Sequence, residues 1–265
     1  MGCGHIGGSL ALALLEAGAA ARVVGWDVDP AALAGARARG FVHEIADAPE
    51  AAAGDVTVLA VPVRALRALV ARARGDIVTD VGSTKAAIVA AGEAAHGGRF
   101  VGGHPLAGTE RAGPAAASAA LFRGRRALLT PTPVTDPAAL ATVAGLWRAA
   151  GAEVAEMPAA EHDELMAAVS HLPHVVAYAL ADAVGALGAP NGMAGGGFID
   201  TTRIASTPPG MWVDVFLDNR DAVLRATDRF AERLAALRRA IAAGDEEAIR
   251  LCIEAARAAR ARILG

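Results

Sequence analysis

Two residue patterns in this chain can do chemistry. The first is Gly2-Cys3-Gly4-His5-Ile6-Gly7, a G-x-G-x-x-G run. Such glycines allow a tight turn, let a pyrophosphate approach the backbone and pack a helix closely on a strand. The phosphates then sit at the helix N-terminus, where free N–H groups and the helix dipole favour anions. Asp27 follows ~20 residues on, after a predicted strand, where an acidic residue meets a ribose 2′-hydroxyl. A carboxylate there repels a 2′-phosphate, so the expected cofactor is NAD rather than NADP. The candidate cofactor contacts are Gly2, Gly4, His5, Ile6, Gly7 and Asp27, with Val61 at the end of a later strand and Ser83 beyond the next.

The second pattern is four segments that hold polar residues in apolar surroundings. They are Asp80-Val-Gly-Ser-Thr-Lys85, Gly103-His-Pro-Leu-Ala-Gly-Thr-Glu110, Ser170-His-Leu-Pro-His174, and Asp200-Thr-Thr-Arg-Ile-Ala205 with Met211-Trp212 after it. The first two follow predicted strands. Residues just past strand C-termini face the ligand crevice of an open α/β sheet, so Ser83 and His104 should point at a nicotinamide. Ser83 also suits a helix N-cap. His171 and His174, three apart, share a helix face, and either can be a satisfied core histidine.

The elements that must position these groups alternate. Strands are expected at Ala21–Trp26, Val56–Val61, Ile77–Val81, Phe100–Gly102, Arg126–Thr130 and Glu153–Glu156. Helices are expected at Ser9–Ala17, Ala31–Arg39, Arg64–Ala73, Lys85–Ala95 and Pro137–Ala149. This alternation predicts a Rossmann-type, doubly wound parallel sheet covered by helices. After Pro158 the strand signal ends. One helix over Glu161–Gly185 is expected, kinked by Pro173. A glycine-rich loop at Gly195–Gly197 and helices over Trp212–Ala242 and Glu246–Ile263 follow, the last two split at Gly244-Asp245. The division is therefore 1–158, NAD-binding, and 159–265, all-α. Only Met1 precedes the glycine loop, where a fingerprint should follow a strand. The first, central strand is expected to be missing, leaving an apolar slot and suggesting a start placed too late.

A net charge of −3 gives no pull toward nucleic acid or an anionic membrane. The arginines at 72–74 and 123–126 are short runs broken by other residues. Cys3 and Cys252 have no spacing for zinc, and no metal is expected. No signal peptide precedes the glycine run, and the apolar stretch from Leu10 to Ala21 is too short for a span and carries Glu16. A cytoplasmic protein is expected.

Taken together, GCGHIGGSLA, DVGSTK, GGHPLAGTE, SHLPH and DTTRIA with its following MW resemble the prephenate and arogenate dehydrogenase family of tyrosine biosynthesis. They run in order from Gly2 to Trp212. The resemblance implies a cyclohexadienol substrate bearing a ring carboxylate, either prephenate or arogenate. Hydride leaves the hydroxyl-bearing carbon for NAD, and the carboxylate leaves as carbon dioxide. His104 would take the hydroxyl proton, and Ser83 would bind that hydroxyl or orient the imidazole. Arg203 would hold a substrate carboxylate, with Asp200 and Glu110 pairing with it as a gate. His171 or His174 would contact substrate, and Thr109 and Trp212 would complete the pocket. A homodimer through the helical domain is implied.

Bland alternatives remain at this stage: Asp200 as a turn cap, Arg203 as a surface ion pair, Trp212 as core. His5, His43, His96 and His162 have no supporting context and read as structural. Another β-hydroxyacid dehydrogenase would be expected to place a lysine in the helical half, which has none. A nucleotide-sensing module that lost its chemistry is disfavoured by the intact Ser83, His104 and Arg203 set. No regulatory domain is expected after the last helix, so any inhibition by tyrosine is expected at the active site.

Overall fold

A computed structural model describes residues 1–108, 112–188 and 190–265. Seven strands occur among them: β1 (Val24–Gly25), β2 (Glu44–Ile45), β3 (Val56–Leu59), β4 (Ile77–Asp80), β5 (Phe100–Pro105), β6 (Arg126–Thr130) and β7 (Glu153–Glu156). Helices α1 (His5–Glu16), α2 (Pro30–Ala38), α3 (Val63–Val70), α4 (Ala86–His96) and α5 (Pro137–Ala149) alternate with them. The chain is thus a Rossmann-like α/β layer. β2 has two residues, too few to show an alternating pattern in sequence.

One expectation is corrected. Pairing runs β3-β4-β5-β6-β7, but β6 lies antiparallel to β5, with Gly102 opposite Thr130 and Pro105 opposite Ala127. A parallel return needs a crossover, usually a helix on the sheet face. Among the described residues between β5 and β6 only a 3-10 turn at Pro114–Ala116 is helical, so the chain returns antiparallel.

The sheet is open between β3 and the separate parallel pair β1-β2. Met1 and Gly2 occupy one end of this gap. The Met1 amino group donates to Val58 O, Ala60 N donates to Met1 O and Gly2 N donates to Trp26 O, each at 2.8 Å. Beyond these rungs lies a cleft of about 660 Å³, walled by Leu10, Leu14, Val24, Phe41, Val56 and Val58.

Helix amphipathicity sets the core on both faces of the larger sheet. Leu10, Phe122, Leu129, Val143 and Trp147 fill one side, and Leu59, Leu66, Val70, Val78 and Phe100 the other. Each such buried side chain contributes roughly 1.5–3 kcal/mol, enough to hold β4 and β5, which carry the polar segments.

After β7 the described chain is helical: α6 (Ala159–Met166), a π-turn at Ala167–His171, α7 (Leu172–Ala186), α8 (Gly196–Thr202), α9 (Pro209–Asp218), α10 (Arg220–Ala243) and α11 (Glu246–Leu264). The expected distortion by Pro173 takes the form of that π-turn. Proline has no N–H to give to Val169 O and its ring crowds that carbonyl, so the turn before it widens. The expected single helix over Trp212–Ala242 is two. It breaks at Asn219 (φ −106°, ψ 32°), whose side chain is bound elsewhere in the structure. The loop expected at Gly195–Gly197 is the start of α8. Gly244, at φ +63°, ends α10 in the left-handed conformation that glycine favours.

The run Ala159–Ala186 is long and apolar enough to cross a membrane by length and composition. It also carries Glu161, Asp163, Glu164 and Asp182 and directs His162 and His171 inward, where both are buried. Along α10 and α11, Leu234, Ile241, Leu251 and Ile253 stand exposed.

Candidate active site

The glycine loop forms a tight cradle. Gly2 has φ +86°, and a Cβ there would lie 2.1 Å from Ala60 O. A Cβ on Gly7 would lie 2.1 Å from Gly2 O, whereas Gly4 faces open space. α1 begins at His5 with no side-chain cap at Gly4, and the N-terminal end of a helix favours an anion. Asp27 sits under the loop: Oδ2 accepts from Cys3 N (2.7 Å) and Oδ1 from Asp29 N (3.0 Å). Ile6 packs inward against the Leu10 cluster, and Val61 lies beside Gly2. An uncapped helix start, an open glycine and a carboxylate at the next strand fit a dinucleotide.

β4 and β5 deliver the next groups. Asp80 ends β4 and is fully buried, as is Lys85. Lys85 Nζ donates to the Asp80 carboxylate and to Gly103 O (2.7 Å). Asp80 also accepts from Gly82 N (2.7 Å) and Gly103 N (3.1 Å). This ion pair therefore ties the Ser83 loop to the strand carrying His104. Ser83 is partly exposed and does not cap α4, whose start has no side-chain cap from Ser83 or Lys85. Instead Asp163, from α6, accepts from Lys85 N (2.7 Å) and Ala86 N (2.8 Å).

His104 is partly exposed, and its Nδ1 lies 2.9 Å from His162 Nε2. His162 Nδ1 lies 2.8 Å from Asp163 Oδ1. Burial lowers the His104 pKa well below the ordinary histidine value, helped by the positive charges that His162, Lys85 and His171 can carry. His104 is therefore a neutral imidazole near pH 7. Burial opposes ionisation of Asp163, but hydrogen bonds from His162, Ala86 and Lys85 outweigh it and leave its pKa below the usual carboxylate value.

The helical half carries a second cluster of aromatic and imidazole rings. His174 stacks on Trp212 (centroids 3.4 Å apart, planes at 26°), and its Nδ1 lies 2.9 Å from Ser170 O. His171 is buried edge-on to Trp212, with Asn219 Nδ2 3.3 Å from its Nδ1. Asn219 also donates to Asp163 O (2.8 Å), the contact that breaks the helix there. Burial lowers the His171 pKa to about 4, against the opposing pull of Asp163. Burial also lowers that of His174, with the Ser170 carbonyl opposing and the Arg203 charge adding to the fall. The buried Trp212 Nε1–H has no hydrogen-bond partner among the described residues. Arg203 and Asp200 are exposed around the end of α8. Thr109 and Glu110 lie outside the described residues. Thr84 Oγ1 donates to Asp218 Oδ2 (2.7 Å), clasping the two halves beside Ser83.

The structure thus brings Ser83, His104, His171, His174 and Trp212 to the junction of sheet and helices. The reading of His162 as a structural histidine missed its bond to His104. Asp163 and Asn219 were not singled out at all. The adjacent His162-Asp163 pair was the available signal, but Glu-His-Asp-Glu also reads as a solvated helix face.

Sheet, cradle and buried histidine junction define a Rossmann-like, dinucleotide-binding type of α/β fold joined to a helical second half. Residues 10–156 match the prephenate dehydrogenase nucleotide-binding domain family and residues 158–254 its dimerization domain family. The prephenate dehydrogenase of Bacillus subtilis is 37% identical over 248 residues, covering 87% of this chain and 65% of that protein. The chain thus spans just under two thirds of that relative's length. The crystal structure of prephenate dehydrogenase from Aquifex aeolicus in complex with hydroxyphenyl propionate and NAD+ is 35% identical, with a TM-score of 0.91 over 99% of this chain and 96% of that one. Synechocystis arogenate dehydrogenase is 28% identical, with a TM-score of 0.81 over 99% and 98%. The chain belongs to the prephenate dehydrogenase family.

Proposed function

We propose that the protein is a cytoplasmic, NAD-dependent prephenate dehydrogenase that converts prephenate to 4-hydroxyphenylpyruvate and carbon dioxide. The observation that carries this is a neutral, partly exposed His104 bonded to the buried His162 at the junction of sheet and helices, in a chain whose start forms the glycine cradle. NAD, when bound, supplies the hydride acceptor. Gly2, Gly4, His5, Ile6 and Gly7 would hold its pyrophosphate, Asp27 would take its ribose hydroxyls, and Val61 and Ser83 would lie along the way to the ring.

His104 takes the substrate hydroxyl proton as the hydrogen on that carbon departs as hydride. The ring carboxylate leaves as carbon dioxide, its bonding pair completes the aromatic ring, and the phenolate oxygen so formed takes its proton back from His104. Ser83 hydrogen-bonds the same hydroxyl. Arg203 holds a carboxylate by its guanidinium fork, with Asp200 and Glu110 as charged neighbours and Thr109 beside them. His174, His171 and Trp212 form the far wall.

Residues 1–158 act as the NAD-binding domain and 159–265 as a substrate and dimerisation domain. The exposed apolar residues of α10 and α11 support a homodimer through this half. Neither nucleic acid nor membrane is a partner in this reading. Arogenate is the second reading, favoured by the likeness to the Synechocystis enzyme. NAD reduction with prephenate and arogenate offered separately tests both. Turnover of either, abolished by His104→Ala, supports the reaction and names the substrate; no turnover in a folded protein that binds NAD removes it.

A further inference from the structure

His104, His162 and Asp163 form a hydrogen-bonded chain that ends on a fixed anion. Asp163 accepts backbone N–H groups at both oxygens, Lys85 N at Oδ1 and Ala86 N at Oδ2. A backbone N–H only donates, so both oxygens must accept. The third partner of this carboxylate, His162 Nδ1 at 2.8 Å, therefore carries a proton. A neutral imidazole has one N–H, which leaves His162 Nε2 bare. That bare nitrogen lies 2.9 Å from His104 Nδ1, so His104 must supply the N–H. The lone pair of His104 is then on Nε2. For a neutral imidazole pair each link permits one assignment.

We propose that His162 and Asp163 are positioning residues for His104, locking it in the Nδ1–H tautomer so that Nε2 is the base offered to substrate. The inference rests on the dehydrogenase reading above. His162 is fully buried and Asp163 nearly so, so water does not compete for either bond. When His104 Nε2 takes the hydroxyl proton, the positive charge on the ring is spread toward His162 and Asp163, and no further proton is required. The other charged or titratable groups around His104 are Lys85 and His171, with Asp80 bound to Lys85 and to Gly103 N. Asp80 is occupied by its lysine. Asp163 is therefore the anion that reaches His104 through a chain of hydrogen bonds.

The tautomers are read directly by ¹⁵N NMR of the full chain labelled at histidine, which needs no turnover. His104 and His162 are each expected to show a protonated Nδ1 and a bare Nε2. Asp163→Asn removes the anion, while its carbonyl oxygen can still accept from Lys85 N and His162 Nδ1, so the tautomers are retained and only the negative charge behind His104 is lost. The expected kcat falls at least ~100-fold, as when a triad carboxylate is amidated, with KM within about threefold and NAD affinity retained. The acid limb of the kcat profile moves to lower pH, because losing the anion weakens the base. A merely structural role would instead admit water and move that limb up toward about 6.5. His162→Gln is the second variant, with the same loss expected. An Nε2–H tautomer of His104 in the parent, both variants within threefold of its kcat, or an acid limb that rises would overturn the proposal. Failure of the parent to oxidise either substrate counts against the functional reading alone, since the tautomers are measured without it.

Discussion

His174 and Trp212 stack with ring centroids 3.4 Å apart. The indole covers one face of the imidazole and helps to keep it dry, the main reason its pKa is low. Trp212→Ala should let the His174 pKa rise toward the ordinary histidine value. An aromatic pair of this kind contributes about 0.5–1.5 kcal/mol, so substrate KM should rise about three- to tenfold if His174 lines the pocket. Proton NMR titration and steady-state kinetics check the two effects separately. A displaced pKa with unchanged KM would place His174 away from the substrate.

Lys85 and Asp80 are wholly buried against each other. Removing one partner strands the other charge, a loss of about 3–5 kcal/mol. Lys85→Met should therefore lower unfolding free energy by that amount in urea titrations. The Asp80→Asn, Lys85→Met double variant should recover part of it, since the buried charge is then gone.

Asp27 holds the glycine loop through Cys3 N and stands at the ribose position. Its carboxylate should make charge-assisted bonds of about 1.5–3 kcal/mol. Asp27→Ser should raise the NAD dissociation constant roughly 10- to 100-fold and narrow the preference over NADP. Calorimetry with both cofactors decides; an unchanged ratio would move the discrimination to another residue.

His171 sets a pH dependence of stability. Its folded pKa of about 4 lies below the ordinary 6.5. Between those values the unfolded chain binds more protons than the folded one, so stability rises with pH across the window and is lost as pH falls through it. His104 and His174, also lowered, act in the same sense. Asp163 acts differently: its stabilisation is present above the ordinary carboxylate pKa and is lost as pH falls through its lowered value. For His171 alone, unfolding free energy should be about 2 kcal/mol lower at pH 5 than at pH 7. His171→Gln should flatten that slope.

Much of this molecule is readable along the chain because its cues are local. β6, β7 and α5 have the expected ends, since alternation and the Asp136-Pro137 start are contained in a few residues. α8 was hidden by Gly196 and Gly197, which usually mark loops. The break at Asn219 depends on Asp163 and His171, distant in sequence, and has no local mark. Ser83 and His104 stand out because they follow predicted strands. His162 and Asp163 gain meaning only when α6 docks on the start of α4, a contact no periodicity reports. The direction of β6 likewise depends on what fails to form between it and β5.

Lysine occurs once in the 265 residues, and that one, Lys85, is sealed at the junction of β4 and β5 with no exposed surface. Side-chain amine reagents added to the folded protein therefore have nothing to acylate. A label appearing at position 85 records an opening of the fold at that junction, so the chain carries a single-residue chemical clock for the motion that uncovers it.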